Sequence, residues 1–197
     1  MSDKRFRIIV IGAGFSRPAG LPLAPELWRE VLRRVDREYG KDNFVRRDLE
    51  EFRKYKEATD GSAPTVDSVD FEEFISFLDI EHYLGLRGSD TWSSEGNETQ
   101  VAVKRYIGQV IWEATPHLKS IPGLYLEFAR RLNGGDTVIT FNYDTLLEES
   151  LDAVDQPYTK IVYVDAFKEF WYELGRMGKL ECGMAIVGFS LPLTMGM

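Results

Sequence analysis

Cysteine is nearly absent from this sequence: Cys182 is the only one. A disulfide within one chain is therefore excluded, and so is a CxxC pair for structural zinc. Histidine is scarce as well, with only His82 and His117. Positive charge is in deficit. The 24 Lys and Arg face 32 Asp and Glu, and the formal net charge of -8 argues against a general nucleic-acid binder, which needs a basic face. The one local basic run, Arg29, Arg33, Arg34 and Arg37 followed by Arg46 and Arg47, reads as a solvated helix face. No stretch is long and apolar enough to span a bilayer. The opening Met1-Ser2-Asp3-Lys4-Arg5 carries no apolar signal-peptide region. These absences set an expectation of a cytoplasmic protein with no metal, no membrane and no direct nucleic-acid partner.

What is present is enough apolar material for a core, 44% hydrophobic with 13% aromatic, in a length that suits one domain with an inserted subdomain. The most informative stretch is Arg7-Ile8-Ile9-Val10-Ile11-Gly12-Ala13-Gly14-Phe15-Ser16. Its unbroken branched run reads as a strand buried on both faces, the habit of parallel sheets. The two glycines after it let the backbone turn sharply and approach a ligand that a Cβ would keep away. Such a turn opening into a helix presents N–H groups to a phosphate. Arg17 stands where a third glycine of the dinucleotide fingerprint belongs.

Downstream, Leu27, Trp28, Val31, Leu32 and Val35 form an apolar stripe, Pro25 suits a helix start and Gly40 a stop, so a helix is expected over about 25–39. Asp36 and Glu38 have the spacing of a ribose-binding acid but fall inside that helix, which counts against a plain nicotinamide dehydrogenase. Residues 46–133 read as a helical insertion, with Phe71, Phe74, Ile75 and Leu78 on one helix face and Val103, Ile107 and Val110 on another. The α/β pattern then returns. Strands are expected at Thr137–Phe141, Lys160–Val164 and Met184–Ser190, with a helix after Asp144 and another over about 167–180.

Three polar clusters fall at the ends of predicted strands: Gly12, Gly14 and Ser16; Thr140, Asn142 and Asp144; Gly188 and Ser190. Open α/β sheets bind ligands at that edge. The glycine turn can hold a pyrophosphate. The Asn142 amide can accept from and donate to ribose hydroxyls or a water, and Asp144 can accept from an amide N–H. Gly188 permits close backbone approach, and Ser190 adds a hydroxyl. Each position has a plainer reading: Asp144 as a helix N-cap, with Thr145 and Glu148 fitting a capping box, and Asn142 as a turn residue.

The motifs GAGFSRPAGLP, TFNYD and IVGFSLP, in that order with a helical insertion between the first two, resemble the sirtuin-like family. The resemblance is closer to its bacterial defence branch, where GAGxS, TxNYD and GYSLP recur, and Asp70-Phe71-Glu72-Glu73-Phe74 resembles a motif early in that branch's insertion. The resemblance covers nearly the whole chain, residues 1–197. It implies a Rossmann-like domain that binds NAD, and an NAD glycohydrolase that releases nicotinamide in anti-phage defence, often beside a sensor or effector protein partner or as a homo-oligomer. Carried over, Gly12, Ala13, Gly14 and Ser16 would hold the pyrophosphate and nearby ribose. Thr140 and Asn142 belong to the second motif, where Asn142, the catalytic candidate, would orient the water or the nicotinamide ribose. Asp144 would face the carboxamide, and Gly188 and Ser190 would line the adenosine side.

The sequence departs from that family at two points. The family's histidine, between the second and third motifs, has no counterpart, since His82 and His117 both precede Thr140. The sequence also ends shortly after Pro192, where the family continues with a helix and a strand, so a domain shortened at its C-terminus is expected. No cysteine cluster supplies the deacetylases' zinc ribbon. The expected fold is α/β, a Rossmann-like, mainly parallel sheet with a helical insertion. The alternative function is a catalytically degenerate nucleotide-binding or partner-binding module.

Overall fold

The computed structural model describes residues 6–86 and 97–159, together with the backbone of 160–163 and 184–189. The chain divides into two compact units, Met1–Leu21 with Ile111–Met197, and Pro22–Val110. Among the described residues no helix is long and apolar enough to cross a membrane.

The first unit is mixed α/β. Its strands are β1 (Arg7–Ile11), β2 (Asp136–Thr140), β3 (Tyr158–Tyr163) and β4 (Met184–Phe189), paired in the order β1-β2-β4-β3. Every pairing is parallel. β3 starts two residues earlier than the branched pattern suggests, because Tyr158 and Thr159 pair with Met184 and Ala185. The helix expected over 167–180 lies outside the described residues.

Register is pinned at the start of the sheet. Arg7 is paired with Asp136, and its guanidinium donates to both carboxylate oxygens, Nε to Oδ1 at 2.8 Å and Nη2 to Oδ2 at 2.5 Å. This two-pronged geometry suits a planar guanidinium and a carboxylate. Asn133 adds a backbone N–H to Asp136 at 2.8 Å. The buried carboxyl is accordingly held below its ordinary range, chiefly by the bond from Arg7.

One face of the sheet packs on α6 (Gly123–Arg130) and α7 (Leu146–Asp152). Ile11, Val138, Ala129, Leu132, Leu147 and Leu151 form this core, with Ile9 and Phe15 packed against it. The pleat sends alternate residues of β1 to the opposite face, where Ile8 is 59% and Val10 62% exposed. The expectation that β1 is buried on both faces is therefore corrected. β1 is an edge strand, and its apolar run is buried on the helix-covered face only.

The second unit is helical. α2 (Ala24–Tyr39) buries the five residues of its expected stripe, and Gly40 ends it with φ +79°. Such a backbone favours glycine. The Trp28 indole N–H donates to the Val66 carbonyl at 3.0 Å, so this fully buried ring keeps its polar group satisfied. α3 (Phe44–Asp60) is capped by Asn43, whose side chain accepts the Arg46 N–H at 2.9 Å. α4 (Phe71–Tyr83) is capped by Asp70. α5 (Glu98–Ala114) starts with a reciprocal pair: Gln100 N–H donates to Asn97 Oδ1 at 2.9 Å, and Asn97 N–H donates to Gln100 Oε1 at 2.6 Å. Among the described residues from 46 to 133 no strand occurs, and the helical unit starts at Pro22 rather than near residue 46.

Candidate functional site

The site is assembled entirely within the first unit. β1 ends at Ile11, and the chain passes through Gly12 into the short helix α1 (Ala13–Ser16). The Phe15 N–H closes the turn on the Gly12 carbonyl at 2.8 Å. Gly12 has φ -136° and ψ -173°, an extended backbone that any residue adopts, and Gly14 does not have a positive φ either. The turn therefore does not need glycine for its backbone angles, contrary to the sequence-based expectation. A Cβ added at Gly12 or Gly14 meets no other atom within 4 Å. Both positions border open space, which a ligand's backbone-bound group can enter.

The turn is held from behind. The Tyr125 hydroxyl on α6 donates to the Phe15 carbonyl at 2.7 Å, and the Tyr125 and Phe128 rings meet Phe15 edge-on at 5.1 and 5.3 Å. Ala13 and Gly14 are exposed, whereas Ser16 is buried at 1% exposure.

The second cluster follows β2. The parallel register sets Thr140 beside Ile11 on one side and beside Gly188 on the other. Ile11, Thr140 and Gly188 therefore stand in one row at the C-terminal ends of the strands, and Gly12 follows directly after Ile11. The chain stays on β1 one residue further, with the Phe141 N–H donating to the Ile11 carbonyl at 3.1 Å. The Thr140 hydroxyl accepts the Asn142 backbone N–H at 3.1 Å, which turns Asn142 back across the strand ends. The Asn142 side chain then donates from Nδ2 to Ser16 Oγ at 2.9 Å. Its Oδ1 is buried and has no hydrogen-bond partner in the chain. Buried amide oxygens are seldom left so.

Asp144 sits at the start of α7, where its Oδ1 accepts the Leu146 N–H at 3.1 Å. Thr145 holds the cap position without a side-chain bond, so the expected Thr145–Glu148 capping box gives way to the Asp144 carboxylate. Ser16 lies near enough to act on the same carboxyl. Burial pushes it above the ordinary carboxylate range, with the neighbouring Glu148 charge acting in the same direction, while Ser16 and the Leu146 bond oppose the rise.

The structure brings Gly12, Gly14, Ser16, Thr140, Asn142, Asp144 and the Gly188 backbone together at one end of the sheet. Ser190 lies outside the described residues. His117 packs edge-on against Trp112 at 6.1 Å, and His82 is carried on α4 of the second unit. Sequence reasoning missed Tyr125, and read Glu148 only as a capping-box partner. Tyr125 gave no local signal beyond its place on an apolar helix face. Glu148 on α7 is buried at 8% exposure, four residues after Asp144. Among the described residues no group of three His, Cys, Asp or Glu is placed to hold a metal ion. No family model matches the sequence, and no curated protein matches it.

Proposed function

We propose that this chain is an NAD-binding, Rossmann-like domain of the sirtuin-like type, acting as an NAD glycohydrolase that releases nicotinamide in bacterial anti-phage defence. The observation that carries this reading is the Asn142–Ser16 hydrogen bond at 2.9 Å. It ties the loop after β2 to the glycine turn after β1, beside open space at Gly12 and Gly14. It also leaves a buried amide oxygen in want of a donor. A dinucleotide supplies matching groups, phosphate oxygens for the exposed turn and ribose hydroxyls for the amide.

The reaction asks little of the protein's acids. The nicotinamide nitrogen of NAD is cationic, so the C1′–N bond can break with its electron pair moving to a neutral leaving group. Water then bonds to C1′ and its proton passes to solvent. The site has to hold the ribose, stabilise an oxocarbenium-like state and place the water. Asn142 is suited to the last two tasks through Oδ1.

One observation favours a second reading, a catalytically degenerate binding module. The family's histidine has no counterpart in the sequence, His117 packs on Trp112, and a positioned general base is typically worth ~10²–10⁴-fold. Chromatographic measurement of nicotinamide release separates the two. The isolated chain is expected to release nicotinamide slowly, with that residual rate lost in Asn142→Ala. Binding of NAD without any release establishes the degenerate module.

A further inference from the structure

Neighbouring parallel strands cannot be joined by a hairpin. The chain must cross over one face of the sheet, and that crossover is nearly always right-handed. The order β1-β2-β4-β3 contains three such connections. The first reaches β2 through α6, and the second leaves β2 through α7 to reach β3; both step the same way along the sheet. A common hand puts them on a common face, and Ala129 of α6 does share one core with Leu147 and Leu151 of α7. The third connection, from β3 to β4, steps back the other way. The same hand directs it to the opposite face.

That opposite face is apolar. Ile8 and Val10 lie exposed on it, and their register partners Thr137 and Ile139 are only half-buried. Val10, Ile139, Val187 and Ile161 occupy one register row across all four strands. The neighbouring row, Ile8, Thr137, Ala185 and Thr159, is uncharged as well. Contiguous apolar surface of this kind marks a place where something docks.

We propose that this face is the docking surface for the chain's own connection between β3 and β4, residues 164–183, seated through Phe167, Phe170, Trp171 and Leu174. The connection starts from Tyr163 and ends at Met184, in adjacent strands, so both its ends are fixed beside the surface it covers. It is longer than the dozen or so residues that a parallel crossover needs. Its four apolar anchors recur at i, i+3, i+4 and i+7, while Lys168, Glu169 and Glu173 fall at the other positions. A face without charge calls for such an apolar stripe. A second copy of the chain competes poorly, because a tethered segment acts at an effective concentration on the order of millimolar. The docking bears on the site through β4, which carries the Gly188 backbone into the row beside Thr140. It does not depend on what the site binds.

The test places single thiols in the full chain carrying Cys182→Ser, which removes the native one. Maleimide labelling is timed under native conditions for Val10→Cys, for Tyr83→Cys as a freely exposed reference, and for Val138→Cys, whose fully buried position reports folding. The thiol at position 10 is expected to react ~10²-fold more slowly than the one at position 83, the mark of a surface that opens only by local unfolding. In the Phe170→Ser, Leu174→Ser double variant that protection is expected to vanish, with position 138 still protected. A thiol at position 10 that reacts as fast as the reference overturns the proposal. Protection that survives the double variant, or that is lost on dilution, assigns the face to another occupant and overturns it too. Where the double variant does not fold, a short bismaleimide decides, applied to the chain carrying Val10→Cys and Trp171→Cys. Linkage within one chain upholds the docking; linkage between two chains, or none, overturns it.

Discussion

Asn142 and Ser16 are 126 residues apart in the chain, and the Asn142 amide nitrogen donates to the Ser16 hydroxyl at 2.9 Å. Through this bond the loop after β2 and the turn after β1 become one constellation. Removing the amide in Asn142→Ala leaves the sheet and α7 untouched and takes away the unpaired Oδ1. Thermal or urea unfolding is expected to show a loss of no more than about 1–2 kcal/mol, the usual worth of a buried hydrogen bond. NAD affinity and any nicotinamide release are expected to fall far more steeply, by ~10²-fold.

Tyr125→Phe keeps the ring that meets Phe15 edge-on and removes the hydroxyl that donates to the Phe15 carbonyl. That carbonyl is then left without this donor beneath the glycine turn. A loss of roughly 1–2 kcal/mol in urea unfolding is expected. Because α1 is no longer fixed from behind, a several-fold weakening of NAD binding should accompany it. Unchanged affinity in a destabilised Tyr125→Phe protein would show that the turn is positioned by packing alone.

The Arg7–Asp136 pair makes the stability of the first unit depend on acid. Asp136 is held below its ordinary range by the Arg7 hydrogen bonds. An aspartate with a depressed folded-state pKa binds its proton more readily when unfolded. Its contribution is therefore complete above about pH 4, the unfolded value, and is lost as the pH falls through the lower folded value. Denaturation midpoints measured across this window should decline with acid in the wild-type chain. In Asp136→Asn that part of the decline should vanish, from a lower starting stability.

Asn43 serves two purposes at the start of α3. Its Oδ1 accepts the Arg46 N–H at 2.9 Å, and its Nδ2 donates to the Gly40 carbonyl at 2.6 Å and to Asp36 at 3.1 Å. Asn43→Ala forfeits the cap and these ties to the end of α2. A cost of about 1–2 kcal/mol is expected, at the upper end for a helix cap, and calorimetric unfolding measures it.

The parts of the fold legible in the sequence are those set by short-range pattern. The α2 stripe and its Gly40 stop could be read directly, because helical spacing and a positive-φ residue are local properties. The strand-end placement of Gly12, Thr140, Asn142 and Gly188 followed from the same logic. What escaped was decided at long range. Ile8 and Val10 look identical to Ile9 and Ile11 in the sequence, and only the packing of α6 and α7 distinguishes the two faces. Arg7 gave no sign that Asp136, 129 residues away, would receive it. Asn97 and Gln100 carried a readable capping signal that followed a stretch of sequence rich in similar residues. Asp144 carried two compatible readings at once, a ligand-facing carboxylate and a cap, and the structure shows its bond to the first turn of α7.

The most direct test of the nucleotide reading is calorimetric titration of NAD into the wild-type chain and into Gly14→Val. Gly14 does not have a positive φ, and a Cβ there meets nothing within 4 Å, so the variant is expected to fold. Its branched side chain would occupy the space that a pyrophosphate needs beside the turn. Measurable NAD binding by the wild-type chain, abolished in a folded Gly14→Val, is the predicted result. Equal affinity in the two proteins, or no binding by the wild-type chain, would contradict the account.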